Sequence, residues 1–160
     1  LARSSAASDV YKRQKLTTRG RNAVTAMLDL CLHCKEGPVN LASIHERQNV
    51  SVHYLEQLFI KLRRAGLVNS IRGPGGGYVL RRDPATISIA EIVEAAEDNL
   101  HVTRCRGAAD CQGGKPCIGH FLWHQMEELL ENFLKNFTLY DVLHPNLKQP
   151  IPTQELKQVL

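Results

Sequence analysis

Between Arg72 and Tyr78 the chain reads Gly73-Pro74-Gly75-Gly76-Gly77, and short stretches rich in β-formers, 67–72 and 78–82, flank this run. Five consecutive residues of Gly and Pro end any regular element and let the chain reverse, so the flanking segments are predicted to pair as a hairpin. The run is not a nucleotide loop, because position 78 is Tyr rather than Gly and no Gly-Lys-Ser/Thr follows. Glycines here permit a tight turn that can lie close to a phosphate or groove wall, with Pro74 stiffening it; a purely structural hairpin is the plainer alternative.

What precedes the hairpin is helical. Ala23, Met27, Leu30 and Cys34, widened by Val24, Leu28 and Cys31, recur at helical spacing from Arg21 and stop at Gly37-Pro38. A short helix follows from Asn40 or Leu41 to Gln48, then the turn Asn49-Val50-Ser51. Ser51 can cap a longer helix whose stripe is Leu55, Leu58, Phe59 and Leu62, and Gly66 closes it. Two helices joined by a three-residue turn, the second carrying Lys61, Arg63 and Arg64, form a helix-turn-helix, and the hairpin beside it reads as a wing.

Downstream, Ser88-Ile89-Ala90-Glu91 is a capping box that opens a helix through about Glu97. The stretch 98–119 shows neither helical nor strand period. Past it Leu122, Met126, Leu129, Leu130, Phe133, Leu134 and Phe137 define an amphipathic helix of about 17 residues. So wide a stripe needs a partner surface: a second copy, giving a dimer with two reading modules, or the chain's own N-terminal helices. The expected fold is mainly α, a winged helix-turn-helix with a two-stranded wing hairpin and a C-terminal dimerisation helix. Its expected divisions are a non-native, disordered leader at 1–14, a DNA-binding domain at 15–82, a cysteine loop and dimerisation helix at 83–143, and a flexible tail at 144–160.

Charge sharpens this division. Residues 15–82 carry 11 basic and 4 acidic side chains, residues 83–160 carry 6 and 11, and residues 1–14 carry 3 and 1, summing to the net +4. A basic half joined to an acidic half fits a nucleic-acid module beside a non-binding one, although a bland segregation of surface charge gives the same arithmetic. The most apolar stretch, 23–34, is interrupted by Asp29 and falls short of the roughly 18 uncharged residues a membrane span needs. No secretory apolar segment is present, and the Ser- and Arg-rich leader matches an organelle transit peptide only superficially.

The five cysteines are Cys31, Cys34, Cys105, Cys111 and Cys117. In a reducing compartment, clustered thiols point to metal or redox chemistry rather than disulfides. Cys105-x5-Cys111-x5-Cys117-x2-His120 places four soft or borderline ligands within 16 residues of a Gly-containing loop. Structural zinc sites draw on cysteines two to four residues apart, so the wider gaps favour an iron–sulfur cluster, with zinc or redox-paired thiols as alternatives. Three thiolates and a neutral imidazole leave an oxidised 2Fe–2S core at −1 rather than −2. That raises its potential, and protonation of the imidazole makes the site labile, which suits a sensor. Cys31 and Cys34 read as small buried apolar residues of the first helix. His33, His45, His53, His101 and His144 have no comparable ligand company, and His124, one helical turn from His120, is a rival ligand.

Taken together, Leu16-Thr17-Thr18-Arg19-Gly20-Arg21, Tyr54-Leu55-Glu56-Gln57-Leu58, Arg72-Gly73-Pro74-Gly75-Gly76-Gly77-Tyr78 and the loop of Cys105, Cys111, Cys117 and His120 resemble the IscR-type iron–sulfur cluster regulators. These are bacterial winged-helix transcription factors whose wider family includes NsrR, and the resemblance spans about residues 15–143. It implies a cytoplasmic, nucleoid-associated homodimer on palindromic double-stranded operators, with a 2Fe–2S cluster on those four residues supplied by the iron–sulfur assembly machinery. It implies repression of cluster-assembly genes when loaded, regulation of a second operator class when apo, and no enzymatic activity.

The resemblance also assigns Ser51, Tyr54 and Gln57 to base or phosphate contacts, and Arg72 to the minor groove, where narrow A·T tracts concentrate negative potential. Arg19, Arg21, Lys61, Arg64 and Gly75 complete the expected DNA contacts. Glu56, a carboxylate turned to DNA, rejects one operator class until the loaded state moves the helix. Three features depart from the pattern: the leader, the additional thiols Cys31 and Cys34, and His53 where a small residue is expected. The alternatives are a nitric-oxide- or iron-responsive repressor of the same family and, from another class, an iron–sulfur electron carrier, which leaves the wing unexplained.

Overall fold

A computed structural model describes residues 18–97, 105 and 108–147, and within it the winged helix-turn-helix is formed. Helix α1 (Thr18–His33) runs into a 3-10 turn (Cys34–Glu36), followed by α2 (Leu41–Gln48), α3 (Val52–Arg64), β1 (Val68–Ile71), β2 (Gly77–Leu80) and a 3-10 turn (Pro84–Thr86). Then come α4 (Ile89–Ala96), α5 (His120–Lys135), α6 (Leu139–Leu143) and a last 3-10 turn (Pro145–Leu147). The leader and residues 148–160 lie outside the described residues, and a 3-10 turn at Pro145–Leu147 stands at the start of the expected tail.

Local chemistry sets the boundaries. The Asn40 side chain accepts from the Ser43 amide at 2.8 Å to open α2, and left-handed Asn49 (φ 54°) ends it. The Ser51 side chain caps α3 by accepting from Tyr54 N. That helix closes with the Gly66 amide donating to Arg63 O and the Leu67 amide to Leu62 O, both at 3.0 Å, the paired bonds of a Schellman motif. Helix α1 starts at Thr18, earlier than the apolar pattern announces, and α5 stops at Lys135, short of Phe137. Helix α6 is absent from the sequence reading, although Thr138 and Asp141 form a complete capping box.

The hairpin is antiparallel, with Val68 opposite Leu80 and Ile71 opposite Gly77. Val39 adds a one-residue third strand: its amide donates to Tyr78 O at 2.9 Å, and its carbonyl accepts back from Tyr78 N at 2.8 Å. This pairing explains Gly77, because a Cβ there would lie 2.4 Å from Val39 O. The Tyr78 ring packs on Phe59 at 4.7 Å, tying the wing's base to the reading helix.

A single apolar cluster joins these parts. Met27, Leu30, Ile44, Leu55, Phe59, Leu62, Leu67, Ile87, Ile92, Val93 and Leu139 are fully buried in it. Each such side chain contributes about 1.5–3 kcal/mol relative to exposure. The chain leaving α5 returns to this core through Ile89 N donating to Phe137 O and Leu139 N to Ile87 O. Asp29 is buried with a 1% exposed side chain and is not left unpaired. Arg47 grips both carboxylate oxygens at 2.6–3.2 Å, and Gln48 donates at 2.7 Å. This fork fastens the end of α2 to α1, and so fixes the turn that aims α3.

Candidate metal centre and nucleic-acid interface

The loop ahead of α5 brings Cys105, Cys111 and His120 together, with their ligand atoms all within 4.8 Å of one another. His120 Nδ1 lies 3.6 Å from Cys105 Sγ and 3.4 Å from Cys111 Sγ. Ligands sharing one tetrahedral ion, at ~2.3 Å for sulfur and ~2.0–2.1 Å for nitrogen, stand about 3.5 Å apart, so these donors are spaced to receive a metal. Backbone bonds shape the loop: Gln112 and Lys115 pair reciprocally, the Ala108 amide reaches Cys105 O, and the His120 amide reaches Cys117 O. His120 is the first residue of α5, so the helix start fixes its ring.

Cys117 lies at the edge of this group, touching Cys111 through its backbone amide and its thiol. The amide favours the Cys111 thiolate, but the neighbouring Cys105 and Cys117 thiols outweigh it, and the Cys111 thiol is pushed above its usual range. Thiolates crowded like this repel one another unless a cation sits among them, so the donor set fits a metal group. The His124 ring stacks on that of His120 at a centroid distance of 5.9 Å, and its buried Nδ1 has no hydrogen-bond partner among the described residues. His124 Nε2 faces Glu128 at 3.7 Å, so this histidine backs the site rather than joining the three-donor group.

Cys31 and Cys34 are only half-buried, where the sequence reading buries them. The Cys34 thiol donates to Cys31 O at 3.4 Å, and burial pushes the Cys31 thiol up.

The DNA-facing candidates divide by where α3 points them. Ser51, Glu56, Gln57 and Arg64 are exposed on the helix, as are Arg72 and Gly75 on the wing and Arg19 and Arg21 on α1. Tyr54 is half-buried and packs on the core. Lys61 points elsewhere: its ammonium donates to Ala96 O at 3.4 Å, at the end of α4. The departing residue His53 is 84% exposed and sets its Nδ1 3.7 Å from a Glu56 carboxylate oxygen. Arg47 and Gln48, which hold the reading unit on α1, are absent from the sequence reading. The signal for them is Asp29, a carboxylate at a position of α1 that the apolar period turns inward.

A winged helix-turn-helix beside a Cys-Cys-His group is a combination that comparison with other proteins can place. The pattern of the Rrf2 family, described as an iron-dependent transcriptional regulator, matches residues 16–145. The chain belongs to the Rrf2 family. The HTH-type transcriptional regulator IscR of Photobacterium profundum is 50% identical over 137 residues, covering 86% of this chain and 80% of that protein. Among solved structures, T. potens IscR matches with a TM-score of 0.69 at 35% identity, over 88% of this chain and 96% of that one. CymR, described as the global cysteine regulator of B. subtilis, also reaches 0.69, at 36% identity over 80% and 95%. This Rrf2 chain is therefore an IscR-type transcription regulator and not an enzyme. No helix among its described residues is long and apolar enough to cross a membrane.

Proposed function

We propose that this regulator senses iron–sulfur supply: a 2Fe–2S cluster held by Cys105, Cys111, Cys117 and His120 decides which operators it occupies. The observation that carries this reading is the convergence of Cys105, Cys111 and His120, with Cys117 against Cys111. When bound, the cluster supplies a labile, oxidant-sensitive charge centre whose loss is the signal. Loaded protein represses the genes for cluster assembly, and apo protein regulates a second operator class. The assembly machinery is the cluster donor, and the setting is the bacterial cytoplasm and nucleoid.

The protein's own residues then read DNA as a homodimer. The exposed stripe of α5, with Phe121, Leu122, Trp123, Met126, Leu129, Leu130 and Phe133, is what a second copy would cover. Two reading helices related by a two-fold axis address palindromic half-sites about 34 Å apart. Gln57 can pair adenine bidentately, Ser51 and Tyr54 reach base or phosphate, and Arg72 enters the minor groove from the wing. Arg19, Arg21, Arg64 and the Gly75 backbone contact phosphates, and Glu56 excludes operators that offer it no donor.

A second reading, one zinc ion, is favoured by the Sγ–Nδ1 separations of 3.4 and 3.6 Å. A nitric-oxide- or iron-responsive repressor uses the same site, whereas an electron carrier leaves the reading helix and wing without a task. Anaerobic purification with an absorption spectrum, iron and sulfide analysis and operator binding tests the assignment. Equimolar iron and sulfide, visible absorption and cluster-dependent operator choice are expected; a colourless zinc protein with unchanged operator choice overturns it.

A further inference from the structure

The last described residues before the cysteine loop touch both ends of the reading unit. Ala96 closes α4, and its carbonyl accepts from the Lys61 ammonium on α3 at 3.4 Å. Glu97 leaves the helix in an extended conformation, and its Oε1 accepts from the Gly20 amide at 3.0 Å, at the start of α1 and 77 residues away in sequence. Each contact joins a charge to the helix end it complements: a cation at the carbonyl end of α4, a carboxylate at the amide end of α1. The approach at Gly20 is close: a Cβ there would lie 2.3 Å from Glu97 Oε1 and 3.2 Å from Val93, so the Glu97 carboxylate would have to swing away to admit it.

We propose that Ala96 and Glu97 form the joint that couples the cysteine loop to the reading unit, with Glu97 a positioning residue acting through Gly20 and Lys61 one acting through the α4 terminus. In chain order Glu97 stands between α4 and Cys105, so a rearrangement of the loop that shifts position 97 pulls on the start of α1, and at position 96 on α3. One two-residue segment thus contacts two of the helices that set the DNA-facing surface. Lys61, expected to reach DNA, instead reports on the loop. The inference rests on the sensing function proposed above, and it supplies that function with a route.

The test compares operator affinity in loaded and apo protein for wild type, Glu97→Ala, Glu97→Gln and Gly20→Ala, with thermal stability measured alongside. Coupling between sites typically spans about 5–150-fold in affinity. In wild type the ratio of loaded to apo affinity should fall in that span. Glu97→Ala and Gly20→Ala, the latter displacing the carboxylate without changing charge, should bring it towards one, and Glu97→Gln, which keeps an acceptor for the Gly20 amide, should retain most of it. Linkage requires the reverse effect as well: at equilibrium against a chelator, operator DNA should raise cluster occupancy in wild type and Glu97→Gln but not in the other two. Equal weakening of both forms with an unchanged ratio marks a merely structural contact and overturns the joint. Absence of any loaded/apo difference in wild type instead sinks the sensing function on which the joint depends.

Discussion

Helices α1 and α5 carry the same apolar spacing and have opposite fates. In α1 the inward positions Ala23, Ala26, Met27 and Leu30 are buried against the chain's own core, and even Asp29 is enclosed and paired. In α5 only Glu127 and Leu134 are buried, while Phe121 is 74% and Leu122 62% exposed. Periodicity therefore says that a face must be covered, not by what. The reading helices are completed within the chain, by their own residues and by Ile87, Ile92, Val93 and Leu139 from beyond the wing, whereas α5 and the loop ahead of it leave a set of metal donors and an apolar stripe exposed.

The comparison breaks most sharply at the donors. Cys111→Ala should remove bound iron altogether, because the remaining ligands leave one position open, while thermal unfolding of the reading half stays near wild type. Iron analysis and a melting curve read both, and metal retained at full occupancy would exclude Cys111 as a ligand. The stripe comes next: replacing Leu129 and Phe133 together by Asp should yield monomers by sedimentation. Losing two-site binding should weaken operator affinity by about 10²–10⁴-fold, and an unchanged dimer would place the interface elsewhere.

The reading half and α4 are largely legible in the sequence because their punctuation is local. Ser51, Gly66, the Gly73–Gly77 run and the Ser88–Glu91 box each act within a few residues of themselves. The Asp29–Arg47–Gln48 fork and the Gly20–Glu97 contact were not legible, since partners 18, 19 and 77 residues apart leave no spacing to recognise. Helix α6 was missed for another reason: its Thr138–Asp141 signal is local, but five residues carry too little period to stand out. In the candidate site, the spacing of Cys105, Cys111, Cys117 and His120 identified the loop. It did not foresee that Cys117 would stand at the edge, because flexible glycine-bearing segments do not fix which donors converge first.

Among the reading helices, the Asp29 fork is the contact to cut. Burial opposes ionisation of Asp29, but hydrogen bonds from Arg47 and Gln48 prevail and hold its carboxyl below the usual range. Its folded-state value is depressed, so its stabilising contribution is present above the unfolded value of about 3.9 and is lost as pH falls through the folded one. Asp29→Asn should cost about 2–3 kcal/mol in denaturant unfolding at neutral pH, below the cost of breaking a fully buried pair because Arg47 is partly exposed. The variant should also flatten stability against pH below about 4; an unchanged profile would show that the fork does not control acid unfolding. Arg72→Ala should weaken operator binding by about 1–3 kcal/mol, most at A·T-rich sites, and lower the salt slope by about one. Uniform loss across sequences would make Arg72 a phosphate contact only.

The smallest effect is expected at His53. His53 and Glu56 are both exposed and 3.7 Å apart, so the pair is worth well under ~1 kcal/mol, and only while the imidazole is charged. That contribution nonetheless falls on the carboxylate proposed to reject one operator class. His53→Ser should remove this contact and sharpen discrimination by the apo protein by about two- to threefold, consistent with a few tenths of a kcal/mol. Glu56→Ala should admit the apo protein to the cluster-dependent operator and make His53 irrelevant. Gel-shift titrations of the single and double variants therefore form a cycle: if His53→Ser acts equally with and without Glu56, the histidine contacts DNA directly and the carboxylate works alone.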